Sequence, residues 1–123
     1  VTIIATGHLV WEALEASKIL FEKGISAEVL NIHTIKPLDD EAIIKSISKT
    51  RCVVTAEEHN YLGGLGESVA RVLVKNNPVP QEFVATNDTF GESGTPKQLM
   101  EKYGINFQSI VNSSIRVIKR KNN

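Results

Sequence analysis

Short apolar runs alternate along the chain with longer segments that have the spacing of a helix face. The apolar runs, rich in β-branched residues, predict strands at Val1–Ala5, Ala27–Ile32, Arg51–Ala56 and Glu82–Ala85. Between and after these runs, apolar residues recur every three or four positions, as they do along one side of a helix. The alternation predicts an α/β fold of one domain over residues 1–123. We expect a three-layer α/β/α sandwich around a mostly parallel, mixed sheet of four or five strands.

Capping residues set the predicted bounds of the helices. The first helix is expected to end at Gly24, because glycine readily adopts the left-handed backbone of a C-terminal cap. Asp39 and Asn106 are placed to cap the N-termini of the second and the last helix. A short additional helix is predicted over Thr95–Gly104, after a loop over Thr86–Gly94.

One face of the first helix is predicted to be buried. Its predicted members are Val10, Ala13, Leu14, Ser17, Leu20 and Phe21. The charged residues of the same helix are Glu12, Glu15, Lys18 and Glu22. They fall on the other side of the helix.

Composition and charge narrow the functional classes. The chain has 14 basic and 14 acidic residues, so no overall field favours nucleic acid or an anionic membrane. No apolar run reaches the roughly 18 residues of a membrane span. Cys52 is the single cysteine, which indicates a reducing, cytoplasmic location and a small buried hydrophobe. The chain begins at Val1 inside a predicted strand, so we expect a piece of a longer polypeptide.

The most distinctive stretch of the sequence follows the third predicted strand. Glu57, Glu58 and His59 come directly after that strand, and Gly63, Gly64 and Gly66 lead into the third predicted helix. In α/β proteins, sites are built at this edge of the sheet, where the carboxyl ends of the strands meet. We therefore expect the function of the domain to involve this edge, either in catalysis or in docking.

Three familiar site motifs are incomplete at this edge. The pattern Gly64-x-Gly66-x-x-Val69 lacks the third glycine of a dinucleotide fingerprint and starts too far from the strand. Glu57 and His59 can share one side of an extended chain, but two ligands do not make a metal site. The sequence also has no Gly-x-Ser-x-Gly elbow of a hydrolase.

Three segments, taken together, resemble a known family. They are Asn31-Ile32-His33-Thr34-Ile35-Lys36-Pro37-Leu38-Asp39, Thr55-Ala56-Glu57-Glu58-His59-Asn60 with Gly63-Gly64-Leu65-Gly66, and Phe90-Gly91-Glu92-Ser93-Gly94-Thr95-Pro96. In this order and spacing they are similar to the C-terminal domain of transketolases. The resemblance is greatest to the C-terminal section of the two-subunit bacterial and archaeal enzymes, and it covers nearly the whole chain.

The resemblance implies a non-catalytic role for this domain. Transketolases use thiamine diphosphate and a divalent cation, Mg²⁺, to move a two-carbon ketol unit between sugar phosphates, and two other domains hold the cofactor. The Gly-Asp-Gly signature of the diphosphate site does not occur in this sequence. No catalytic, cofactor-binding or metal-binding residue is therefore assigned, and we expect the domain to support dimerisation and domain assembly.

The resemblance also implies where partners bind. The segment Glu57–Gly66 is expected to pack towards the pyrimidine- and diphosphate-binding domains or subunit, in a homodimer or a heterotetramer. Glu58 and His59 would form hydrogen bonds across that contact, and the glycines would permit close approach of the backbone. We expect Gly64→Val to leave the fold intact and to weaken the assembly.

Two further places are candidate contacts. The turn that contains Gly91, Glu92 and Gly94 is the second candidate for a contact between domains or subunits. Trp11 stands at a position that is less typical of the family. An exposed indole there would indicate a contact surface of its own.

Two alternatives remain open at the level of sequence. The chain also fits the equivalent domain of a 1-deoxyxylulose-5-phosphate synthase or of a 2-oxoacid dehydrogenase beta subunit, where it could dock a partner. A protein of another class, a small-molecule or nucleotide-binding module, would use the glycine-rich edge as a pocket. Binding of thiamine diphosphate by the isolated domain would count against the transketolase interpretation.

Overall fold

A computed structural model of the chain describes residues 1–32, 38–57, 64–85 and 106–123. In these ranges the elements are β1 (Thr2–Ala5), α1 (Leu9–Glu22), β2 (Glu28–Asn31), α2 (Asp40–Thr50), β3 (Val53–Ala56), α3 (Leu65–Asn76), β4 (Gln81–Val84) and α4 (Phe107–Lys121). Each of these strands lies within two residues of its predicted bounds. The predicted loop over Thr86–Gly94 and the short helix over Thr95–Gly104 lie outside the described residues.

The described strands form a parallel sheet in the order β2-β1-β3-β4. Ile3 of β1 pairs with Val29 of β2 on one side and with Val54 of β3 on the other. The chain runs outward from β1 to β2 and then returns across β1 to β3. The carboxyl ends of β1 and β3 therefore lie side by side at a topological switch point, the usual place for a site in such a sheet.

Helices cover both faces of the sheet, which confirms the predicted layers. The core between the sheet and the pair α1 and α4 includes Ile3, Val54 and Ile110. The core on the opposite face, under α2 and α3, includes Ile4 and Val53. Neighbouring residues of one strand point to opposite faces, and both Ile3 and Ile4 are fully buried, as a three-layer sandwich requires.

The buried face of α1 differs from the predicted one. The residues of α1 that are buried are Leu9, Ala13, Ala16 and Leu20. Leu14 and Phe21, which were predicted to be buried, are 42% and 77% exposed. Two overlapping apolar stripes run along this helix. Ala13 and Leu20 belong to both and are buried as predicted, but Leu9 and Ala16 are buried beside them in place of Leu14 and Phe21. The structure buries the stripe with alanines, whose small side chains allow the helix to lie close to its neighbours.

The predicted N-terminal caps of two helices are confirmed. The Asp39 carboxylate accepts a hydrogen bond of 3.1 Å from the backbone N–H of Ala42, in the first turn of α2. The Asn106 side-chain oxygen accepts one of 3.1 Å from the N–H of Ser109, in the first turn of α4. A cap of this kind contributes about 1 kcal/mol, because it pairs a backbone donor that the helix leaves unpaired.

Two further expectations concern Cys52 and the helices. Cys52 is fully buried, as predicted, and burial raises the pKa of its thiol above the ordinary value. None of the helices in the described ranges has the length and the hydropathy needed to cross a bilayer.

Candidate functional site

The structure describes three of the residues predicted to form the functional edge. Glu57, Gly64 and Gly66 lie at the carboxyl end of β3 and at the start of α3. The other predicted contact residues, Glu58, His59, Gly63, Gly91, Glu92 and Gly94, lie outside the described residues. The geometry of the candidate site therefore rests on how the end of β3 meets the beginning of α3.

Glu57 is a buried carboxylate that binds the N-terminus of α3. Its backbone N–H donates a 2.9 Å hydrogen bond to the carbonyl of Val84, which extends the pairing of β3 and β4 by one residue. The residue is only 3% exposed, and its Oε2 accepts a hydrogen bond from the N–H of Leu65, the first residue of α3. The first N–H groups of a helix have no partner within the helix, and the helix dipole favours a negative charge there. The Glu57 carboxylate provides an acceptor for one of these N–H groups and lies at the end of the helix that the dipole makes favourable for it.

Gly64 is required by the position of this carboxylate. A Cβ atom added to Gly64 would lie 2.5 Å from Oε1 of Glu57 and 3.0 Å from its Cδ. The φ of Gly64 is −96°, a value open to any residue, so the contact alone excludes a side chain. The expectation that Gly64→Val leaves the fold intact is therefore revised, because valine must push the carboxylate away from α3.

Gly66 permits a second close approach, between α3 and the sheet. A Cβ atom there would lie 2.5 Å from Cε2 of Phe83 in β4 and 3.2 Å from Oγ1 of Thr55 in β3. The carbonyl of Gly66 accepts a 2.9 Å hydrogen bond from the side-chain amide of Gln81, which also donates to Thr55 Oγ1 at 3.1 Å. The first turn of α3 is thus fixed directly on β3 and β4.

These contacts bear on the nucleotide-binding alternative. In dinucleotide-binding folds the pyrophosphate occupies the helix N-terminus that follows a glycine-rich turn. Here the Glu57 carboxylate occupies the equivalent place and is bonded to Leu65. A phosphate bound at this helix N-terminus would have to displace the Glu57 side chain from the N–H of Leu65. The described geometry at this edge therefore argues against a nucleotide site.

The other strand at the switch point ends in a different way. β1 is followed by a turn in which Gly7 has a φ of +57°. His8 lies at the N-cap of α1, and its side chain makes no capping hydrogen bond. Among the described residues, no group of three or more His, Cys, Asp or Glu is placed to hold a metal ion.

A cleft beyond β4 has a cationic group that is already engaged. The cleft, of about 260 Å³, is lined by Phe83, Val84, Ala85, Ser109, Asn112, Ser113 and Arg116. The Arg116 guanidinium lies 3.2 Å from a carboxylate oxygen of Glu82 and donates a 2.8 Å hydrogen bond to Ser113 Oγ. The same Glu82 carboxylate also pairs with Arg120, so it is shared between two guanidinium groups.

Sequence reasoning missed the contact partners of the glycines. Thr55 and Phe83 lie in predicted strands and Gln81 directly precedes one, and nothing in the local pattern connects them to Gly66. The available signal was the glycine itself, because glycine in the first turn of a helix after a parallel strand often permits close packing of the helix on the sheet.

Comparison with known proteins places this fold in a family. Residues 1–110 match the family described as transketolase, C-terminal domain. The chain belongs to the transketolase C-terminal domain family. A solved structure of a split-gene transketolase, an inactive beta4 tetramer, has a TM-score of 0.93 and 44% sequence identity to this transketolase domain. The match covers 98% of this chain and 39% of that chain.

Two relatives show the range of enzymes that contain such a domain. A 6-deoxy-6-sulfo-D-fructose transketolase subunit from Clostridium sp. strain MSTE9 is 49% identical over 99% of this chain. A 1-deoxy-D-xylulose-5-phosphate synthase from Desulforudis audaxviator is 35% identical over 93% of it. The chain spans 38% of the length of the first of these relatives and 18% of the second.

Proposed function

We propose that this chain serves as the non-catalytic C-terminal domain of a two-subunit transketolase and supports its dimerisation and domain assembly. The observation that carries the proposal is the match of almost the whole chain to the split-gene transketolase subunit. The complete enzyme would transfer a two-carbon ketol unit between sugar phosphates in the cytoplasm, with pentose phosphates among its substrates. The relation to the sulfo-fructose transketolase subunit supports the same class of reaction.

Thiamine diphosphate and Mg²⁺ are assigned to other domains of the proposed enzyme. The described residues do not fit this cofactor, because the helix N-terminus nearest the glycine-rich edge is filled by the Glu57 carboxylate. We therefore assign no step of the reaction to residues of this domain. Its partners would be the pyrimidine- and diphosphate-binding domains or subunit, in a homodimer or a heterotetramer.

The contact segment of the proposed assembly would be the six residues between Glu57 and Gly64. Both ends of this segment are fixed, since Glu57 is bonded to Val84 and Leu65, and Gly64 lies against the Glu57 carboxylate. Fixed ends lower the conformational entropy that a connecting segment loses when it binds a partner. Glu58, His59 and Gly63 would make the contact, with Gly91, Glu92 and Gly94 in a second one.

Reconstitution with the partner subunit tests this function. Ketol transfer from a ketose phosphate to an aldose phosphate is measured with the full-length chain, with its partner subunit and with the mixture. Activity that needs the mixture and added thiamine diphosphate is the expected result. Because of the sulfo-fructose relative, 6-deoxy-6-sulfo-D-fructose belongs among the donors. An inactive mixture that forms a stable complex would count against a transketolase.

A second candidate function is that of a 1-deoxyxylulose-5-phosphate synthase domain. The 35% identity to the enzyme from Desulforudis audaxviator favours it. The same mixture, supplied with pyruvate and glyceraldehyde 3-phosphate, would then release carbon dioxide. Carbon dioxide release without ketol transfer would replace the transketolase proposal by this one.

A further inference from the structure

The outer face of α1 carries large apolar side chains in water. Trp11 is 74% exposed, Phe21 is 77% exposed, and Leu14 lies between them at 42%. With Lys18 they follow the spacing i, i+3, i+7, i+10, which places all four within about 80° of the helix circumference. We call these four residues the α1 stripe. Exposed aromatic residues in such a row are typical of a surface that is covered by a partner.

A hollow adjoins the C-terminal end of the α1 stripe. It has a volume of about 480 Å³ and is lined by Ser17, Lys18, Phe21, Glu22, Ser26 and Ala27. Pockets of about 300–1,000 Å³ hold small organic ligands, so the hollow has room for an indole ring. Trp11, the largest projecting side chain, lies ten residues away from Phe21, about 15 Å along the helix axis.

A projection at one end and a hollow at the other make this surface complementary to itself. We propose that a second copy of this chain docks on the α1 stripe with the two helices antiparallel, so that Trp11 of each copy enters the hollow beside Phe21 of the other. The proposal rests on the proposed function, in which copies of the chain assemble. A two-fold axis near the middle of α1 brings residue i of one copy to residue j of the other, and j to i.

The charges near the centre of α1 agree with the antiparallel arrangement. Glu15 and Lys18 are both exposed, with side-chain accessibilities of 51% and 76%, and within the chain their charged atoms lie 4.0 Å apart, the outer limit of an ion pair. When Trp11 faces Phe21 of the other copy, Lys18 faces Leu14 and lies one position from Glu15 of that copy. Two opposite charges therefore meet twice across the axis, whereas a parallel pair would place each lysine beside the other lysine.

The size of the surface indicates how strong this contact is. Trp11 and Phe21 of the two copies make four aromatic side chains. At about 150–250 Å² each, they bury roughly 600–1,000 Å² in the contact. A stable pairwise interface needs about 1,200 Å² or more. The contact therefore joins copies within an assembly that has other interfaces, and its test belongs in the full-length chain bound to its partner subunit.

Cysteine cross-linking tests the contact between copies directly. Trp11→Cys is introduced into one tagged full-length chain and Phe21→Cys into a differently tagged one, and the two are assembled together with the partner subunit. Mild oxidation is expected to join the two tags in a covalent dimer. Each variant assembled alone is the matched control and should stay monomeric on a non-reducing gel. In the antiparallel pair, the same residue of the two copies lies about 15 Å apart, which is too far for a disulfide. Cys52 is buried and contributes no background.

The outcomes of the cross-linking separate this inference from the proposed function. Cross-links in the mixture alone support the antiparallel contact. Cross-links in either single variant, cross-links to the partner subunit, or none at all overturn it. Ketol transfer is measured on the same samples before oxidation. Ketol transfer without the expected cross-link would contradict only the proposed contact between copies. The cross-link without ketol transfer would contradict only the proposed transketolase function.

A truncation provides a second test that does not depend on oxidation. Trp11→Ala should raise the subunit concentration at which the copies assemble by about tenfold or more, as for an aromatic residue at the centre of a contact. Val74→Ala is the matched control, because Val74 is 75% exposed but lies on α3. Equal assembly of the two variants would overturn the inference.

Discussion

The edge between β3 and α3 and the outer face of α1 differ in how their side chains find partners. At the edge, an acidic side chain is buried and the chain itself supplies its contacts: Glu57 binds Leu65 and lies against Gly64. On α1, the apolar side chains of Trp11 and Phe21 lie in water. A buried charge is stable only when it is bonded, and apolar area in water is unfavourable unless something covers it. In the first region the described acidic side chain is bonded within the chain, whereas the second region is the exposed apolar surface for which we propose a partner.

The free energy of unfolding separates the two regions. Substitutions at the edge should destabilise the chain itself, and substitutions on the outer face of α1 should not. Urea unfolding of the 123-residue chain measures both kinds on one scale. The four substitutions that follow run from the largest expected effect to the smallest, and one of them, at the exposed ion pair of Glu28, lies outside both regions as a reference.

Gly64→Val should destabilise the chain most, by about 3 kcal/mol or more. The valine side chain takes the place of the Glu57 carboxylate, which must leave the N-terminus of α3. A double-mutant cycle with Gly64→Ala and Glu57→Ala isolates the contact. Gly64→Ala should cost much less once the carboxylate is gone. Equal costs in both backgrounds would show that another contact excludes the side chain.

Glu57→Ala should cost about 2 kcal/mol, because it leaves the N–H of Leu65 without its acceptor and removes a charge from the favourable end of the helix dipole. Glu57→Gln is the matched variant, since its amide oxygen can still accept from Leu65. Glu57→Gln should keep more than half of the free energy of unfolding that Glu57→Ala loses. A glutamine variant as unstable as the alanine one would assign the stabilisation to the negative charge alone.

Glu28→Gln should cost about 0–1 kcal/mol at neutral pH, as expected for a carboxylate that stays in water. A 2.8 Å hydrogen bond from Lys49 lowers the pKa of Glu28 below its ordinary value. A carboxyl whose pKa is lower in the folded chain stabilises the fold above its unfolded pKa of about 4.3. This contribution is lost as the pH falls through the folded pKa. The difference between wild type and Glu28→Gln should therefore shrink on acidification. A difference in the free energy of unfolding that grows as the pH falls would contradict a lowered pKa for Glu28.

Trp11→Ala should change the free energy of unfolding by less than about 0.5 kcal/mol, as is usual for an exposed position. Its effect should be visible only in assembly. A loss of 1 kcal/mol or more in the isolated chain would mean that the indole packs within the chain, and the contrast between the two regions would disappear.

The sequence predicted the local structure better than the contacts. The strands and the caps at Asp39 and Asn106 followed from local patterns, because β-branched runs and cap chemistry act over a few residues. The family followed from three spaced segments. The buried face of α1 could not be predicted in full from the sequence, because that helix carries two overlapping apolar stripes and only the packed fold selects one. The partner of the Glu57 carboxylate was hidden for a similar reason, since it lies eight residues further along the chain.

The binding of thiamine diphosphate by the chain itself most directly tests the claim that this domain serves assembly and not cofactor chemistry. The 123-residue chain, with its folded state checked by circular dichroism, is titrated with thiamine diphosphate and Mg²⁺ in a calorimeter. No binding heat is the predicted result, because the helix N-terminus at the glycine-rich edge is filled by Glu57. Tight, stoichiometric binding would contradict the account.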